Sequence, residues 1–143
     1  MCFNYSFIRV IIPEYSRTEK YEFRTVTLQK VEQCMPILNR VVACLKDRQY
    51  EMLPPLFNPI IPADSLSEEK IRMPNQIIDS TYGRIKRFVA QGFYFQGAGP
   101  GGRMVSLLHL TGTLIREKQN TNFSITVDPD LKKQNLYGYR FMR

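Results

Sequence analysis

The feature that most constrains this chain is a change of apolar period at Gly83. Upstream of it, apolar residues recur at three- and four-residue steps, the spacing of a buried helical stripe. Downstream they alternate, the spacing of strands with one face buried. Val31, Cys34, Met35, Leu38, Val41, Val42 and Leu45 place a helix over residues 28–47, with Thr27 as its N-cap and Pro36 interrupting it. Tyr50 to Phe57 reads as a short helical stretch broken by Pro54-Pro55, and residues 58–64 as a Pro-rich connection. Ser65 and Glu68 have the spacing of a capping box. A second helix over 66–82 follows, bent near Pro74, with Ile71, Ile77, Ile78 and Tyr82 as its expected inward stripe. Gly83 can take the left-handed conformation that ends a helix.

After Gly83 the sequence predicts four strands, at residues 86–96, 103–116, 123–127 and 136–142. Their connections are short: a glycine-rich loop at Gly97–Gly102, then turns at 119–122 and 128–130. Strands joined this way must form an antiparallel meander. The expected class is therefore α+β, with N-terminal helices packed on an antiparallel sheet. Further upstream, Phe3–Ile12 and Tyr21–Val26 read as two additional strands, either a hairpin or an arm.

The chain has 143 residues, a length that suits one domain spanning 1–143. With 43% hydrophobic and 23% charged residues it falls in the globular class, not the disordered one. Its formal charge of +7 favours anionic partners, yet the cations are dispersed, with Arg84, Lys86, Arg87 and Arg103 as the basic-patch candidates. A single histidine and three cysteines without a CxxC pair argue against a structural zinc site. Cys34 and Cys44, ten residues apart in one helix, would stand about 15 Å apart, beyond disulfide reach. Reduced buried thiols point to an intracellular location. Neither a transmembrane segment nor a signal-peptide pattern is expected.

Three segments carry a resemblance: Leu45-Lys46-Asp47-Arg48-Gln49-Tyr50-Glu51-Met52-Leu53, Tyr82-Gly83-Arg84-Ile85-Lys86-Arg87-Phe88, and Asp130 to Tyr139 with its Gly138-Tyr139 close. In this order, around a Pro-rich connection and a meander, the chain resembles the nuclear transport factor 2-like (cystatin-like) superfamily. Within it, the small bacterial domains of unknown function are nearest. The resemblance covers residues 27–143 less the last position, and makes residues 1–26 an added strand pair or arm. It implies a cone: a strongly curved sheet wrapped on the helices around a cavity. Members of such a family include enzymes, ligand binders and assembly subunits, so the fold alone leaves function open.

A steroid-isomerase-like reaction would need a carboxylate base inside the cone. The predicted strands are almost free of acids, and Asp47, Glu51, Asp64 and Asp79 are expected on exposed helix faces. His109 lies mid-strand on the face opposite Leu108 and Leu110, and is expected to be packed or half-exposed. Gly97–Gly102 lacks the ending of a phosphate-binding loop. Gln91 to Gln96 places aromatics on a strand without the spacing of an RNA-binding signature. No catalytic residue, metal site or cofactor is read from the chain.

The leading expectation is a non-enzymatic module that associates with protein, as a homodimer or in a larger assembly, through a sheet face or cone cavity. Phe93, Phe95, Leu107, His109, Tyr137 and Tyr139 are its candidate contact or pocket residues. Two alternatives stand beside it: a small-molecule binder or steroid-isomerase-like enzyme using the cavity, and a basic subunit of a ribonucleoprotein or membrane-associated assembly that binds nucleic acid.

Overall fold

A computed structural model describes residues 9–10, 17–96 and 107–142. Helices precede an antiparallel meander, as the change of period requires. The long helix α1 spans Arg17–Lys46, and α2 spans Glu68–Tyr82. Two short 3₁₀ turns, Tyr50–Met52 and Pro54–Leu56, carry the chain between them, with a third at Ala63–Leu66. The strands are β1 (Arg9–Val10), β2 (Ile85–Gln96), β3 (Leu107–Arg116), β4 (Thr121–Val127) and β5 (Leu136–Met142). They lie side by side in chain order, β2 to β5 antiparallel and β1 parallel to β2 at Gly92 and Phe93. The expected α+β class holds; the sheet is neither closed nor strongly curled, so the strong curvature expected of it is met only loosely.

Residues 21–26, expected as a strand, lie inside α1, which begins about one turn before them. No hairpin joins them to β1; their alternating apolar residues also suit a helix, and this short run cannot distinguish the two periods. The first expected strand is described only at Arg9–Val10. The glycine loop, Arg103 and Cys2 lie outside the described residues.

The start of α2 also differs from expectation. Ser67, not Ser65, is the cap: its hydroxyl accepts from the Lys70 amide at 3.2 Å, satisfying an orphan donor. Ser65 instead donates to the Pro62 carbonyl. The inward stripe of α2 is Ile71, Asn75 and Asp79, while Ile77 is 65% exposed. At the far end, Gly83 has φ +89°, and a Cβ there would sit 2.7 Å from the Lys118 amide nitrogen. Glycine is required on both counts.

The register divides the sheet residues between two faces. Leu108, Leu110, Leu114, Phe123 and Ile125 point inward, each essentially free of solvent contact, and meet Val31, Leu38, Val41 and Leu45 of α1 in one core. Phe123 is the centre of an aromatic group, with ring centroids 5.7 Å from Phe88, 6.0 Å from Tyr139 and 5.4 Å from Phe141. Large side chains therefore fill the space beneath the sheet. Gly112 makes that filling possible: a Cβ on it would overlap the Val89 carbonyl and come within 2.5 Å of the Phe88 ring.

Candidate functional site

Two arrangements of polar side chains stand out, one beneath the sheet and one on its outer face. The first is built by α2 and the end of β3. Arg116 has the same parity as Leu110 and Leu114, so its side chain points into the protein and is fully buried. Its Nη1 donates to Asp79 Oδ1 at 2.7 Å and to the Gly83 carbonyl at 2.9 Å, and its Nε donates to Thr121 Oγ1 at 2.9 Å. The guanidinium also lies 5.6 Å from the Phe141 ring centroid. Arg48 Nε stands 3.4 Å from the other oxygen of Asp79. Asn75, one turn earlier on α2, donates to the Ile71 carbonyl and stands 3.3 Å from Tyr139 Oη.

This arrangement corrects the expectation that Asp79 is exposed: it is 8% exposed. A charge taken from water is tolerated where a partner and hydrogen bonds replace the solvent, which Arg116 and Arg48 supply here. Asp79 therefore ties α2 to β3. Arg116 and Arg48 each engage one of its carboxylate oxygens. Tyr50 Oη and Arg116 Nη2 are buried without a protein hydrogen-bond partner. Burial, and then the charge of Asp79, push the Tyr50 phenol above its ordinary range. Tyr139 is raised too, chiefly by burial. Both stay neutral phenols at physiological pH.

The second arrangement lies on the outer face. Tyr94, His109 and Thr126 form one cross-strand row, and Thr111 and Ser124 form the next with Arg140. The Tyr94 and His109 rings stack at 4.5 Å with an interplanar angle of 11°. Cross-strand pairs approach closely enough for such stacking. His109 Nε2 lies 2.7 Å from Gln96 Oε1, which only accepts, so that nitrogen carries the proton. Nδ1 then accepts from the Thr126 hydroxyl at 2.9 Å. Burial lowers the His109 pKa, so the ring is neutral at pH 7. Tyr94 remains 48% exposed.

The structure separates the six contact candidates. Phe93 is 3% exposed and belongs to the core, and Phe95 and Tyr139 pack against the core from the same inner face. His109 is half-buried on the outer face, with Leu107 buried at the end of the same strand. Tyr137 is half-buried beside the register shift between β4 and β5. Arg84, Lys86 and Arg87 are exposed together at the start of β2. Tyr94, on the outer face, is not among the six candidates. Its signal was present, because alternation puts it opposite Phe93 and Phe95.

None of the five strands contains an Asp or Glu. The outer face therefore combines Arg87 and Arg140 with hydroxyl side chains and no strand carboxylate. Among the described residues no group of three or more His, Cys, Asp or Glu could hold a metal ion, and no helix is long and apolar enough to cross a membrane. Comparison with family models, with curated proteins and with solved structures returns no match to this chain.

Proposed function

We propose that this protein is a non-enzymatic binding module of nuclear transport factor 2-like type whose outer sheet face takes single-stranded nucleic acid. The order of helix, Pro-rich connection, helix and antiparallel meander supports that frame. The observation that carries the partner class is Tyr94: a half-exposed aromatic ring, propped by a stacked neutral histidine, on a basic sheet face without strand acids. A nucleobase can stack on the ring face turned away from His109, as bases do on aromatic platforms. Arg84, Lys86, Arg87 and Arg140 are exposed to meet phosphates. The hydroxyl of Thr113 offers a donor and an acceptor to sugar and base edges, while that of Thr111 donates to the Gly92 carbonyl. A face that carries Arg87 and Arg140 and no strand carboxylate offers a second copy of itself no opposite charge, which disfavours self-association there.

The test is a fluorescence-anisotropy titration with labelled oligouridine and oligothymidine. With four cations engaged, the single-strand slope of about −0.7 per phosphate predicts roughly fiftyfold weaker binding at 200 mM than at 50 mM salt. Tyr94→Ala should cost about 1–3 kcal/mol if one base stacks there. Salt-insensitive binding, or an unchanged affinity for Tyr94→Ala, refutes the reading. No binding at 50 mM salt, with a salt-insensitive dimer by light scattering, would favour protein association instead.

A further inference from the structure

Apart from the outer face, a groove of about 820 Å³ lies between α1 and the β4–β5 connection. Pockets of this size hold small organic ligands. Its apolar lining includes Ile37 from α1, Leu56 from the Pro-rich connection and Leu131 from the β4–β5 turn. Leu131 is 39% exposed, in a turn beside two lysines. Around these side chains stand Arg40, Lys132 and Lys133. None of the three is in an ion pair among the described residues. The groove's one carboxylate, Asp130, faces Lys30 at 3.9 Å.

The wall formed by residues 129–135 is braced from both ends. The Asp128 carboxylate accepts from the Asp130 amide at 2.9 Å, and the Asp128 amide donates to the Asn135 carbonyl at 2.9 Å. Asn58 donates to the Gln134 carbonyl at 3.1 Å through its side chain and to the Leu136 carbonyl at 2.8 Å through its backbone. Gln134 holds a positive φ of 50°, a conformation that a non-glycine residue keeps only where its surroundings impose it. A wall held this way loses little conformational freedom when a ligand arrives.

We infer that this groove binds a small amphipathic anion, with an alkyl or aryl body on Ile37, Leu56 and Leu131 and a phosphate or carboxylate head among Arg40, Lys132 and Lys133. The excess of unpaired cations sets the sign of the head group, and the apolar lining requires a body beyond it. Free phosphate would use only the cations, and an uncharged alcohol only the lining. The ligand class therefore makes both contributions measurable.

Octyl phosphate, below its micelle concentration, is the probe, with butyl phosphate, inorganic phosphate and octanol as comparisons. Binding is followed by calorimetry and by ¹H–¹⁵N chemical shifts. Octyl phosphate should shift the amides of residues 36–40 and 130–135 and bind more tightly than the other three. Each added methylene that becomes buried is worth up to about fourfold in affinity. Arg40→Gln and Lys133→Gln should each weaken binding roughly threefold, and the pair together about tenfold, as expected for exposed, separate charges. Leu131→Ser should flatten the chain-length dependence, and Arg87→Gln on the outer face should leave the affinity unchanged. Equal affinity for octyl phosphate and octanol overturns the inference, as do shifts confined to the outer face or no shift at all. Binding to anionic phospholipid vesicles without binding to monomeric octyl phosphate also overturns it, because the groove would then be part of a surface contact.

Discussion

Replacing Asp79 by leucine tests the internal logic of the fold most directly. The carboxylate is 8% exposed and stands 2.7 Å from a guanidinium that is itself fully buried. Removing it leaves Arg116 with the Gly83 carbonyl and the Thr121 hydroxyl as hydrogen-bond acceptors, and with no opposite charge in contact. Breaking a buried pair from one side costs about 3–5 kcal/mol, because the remaining charge loses its compensation. For a domain of this size that lowers Tm by roughly 10–15 °C. It is also a large share of the total stability of about 5–15 kcal/mol expected for such a domain. Urea denaturation followed by circular dichroism reads the effect as a shift of midpoint at unchanged slope. The double variant Asp79→Leu/Arg116→Met removes both charges and should recover most of the loss, since an apolar replacement of a buried pair is often neutral. A cost below about 1 kcal/mol for Asp79→Leu would refute the reasoning, since it would place Arg116 in contact with solvent or with another acceptor.

Three further outcomes are expected. Gly112→Ala should destabilise the protein by about 1–3 kcal/mol in the same urea assay, because the added methyl has backbone and a packed ring in its way. Burial holds the His109 pKa below its unfolded value, so the unfolded chain takes up the proton more readily. Stability should therefore be fullest above the unfolded pKa and decline as pH falls below it. The urea midpoint should drop between pH 7 and pH 5.5, with a smaller drop in His109→Asn. Burial, with Asp128 and Asp130 nearby, pushes the Cys34 thiol up to about 12, so it should resist a thiol reagent at pH 8. Its labelling should follow the rate of unfolding, and fast labelling of the folded protein at Cys34 would contradict the burial.

Much of the fold was legible in the sequence because local periods carry it. The change at Gly83, the four strands and both helices follow from residue spacing and from a glycine whose backbone no other residue adopts easily. The N-terminal boundary of α1 was not legible, because the alternation over 21–26 is too short to separate two periods. The choice of cap also escaped, since Ser65 and Ser67 are both good caps and the path of the preceding 3₁₀ turn decides between them. Strand alternation alone puts Phe93 and Tyr94 on opposite faces of the sheet, but it could not say which of the two the helices cover.

The sequence by itself determined the α+β class, the antiparallel order and the basic character of the strands, since these depend on composition and on periods of two and 3.6. Only the tertiary structure decided the inward face of α2, the burial of Asp79 and the open form of the sheet. The stripe on α2 has both an isoleucine face and an Asn75–Asp79 face, and hydropathy favours the first. Arg116, carried inward by the parity of β3, makes the second the buried one, because its charge needs a carboxylate at that depth. The stack of His109 on Tyr94 depends on the same kind of distant fact, a register that sets two strands side by side. Pairings between residues far apart in the chain leave no local period to read.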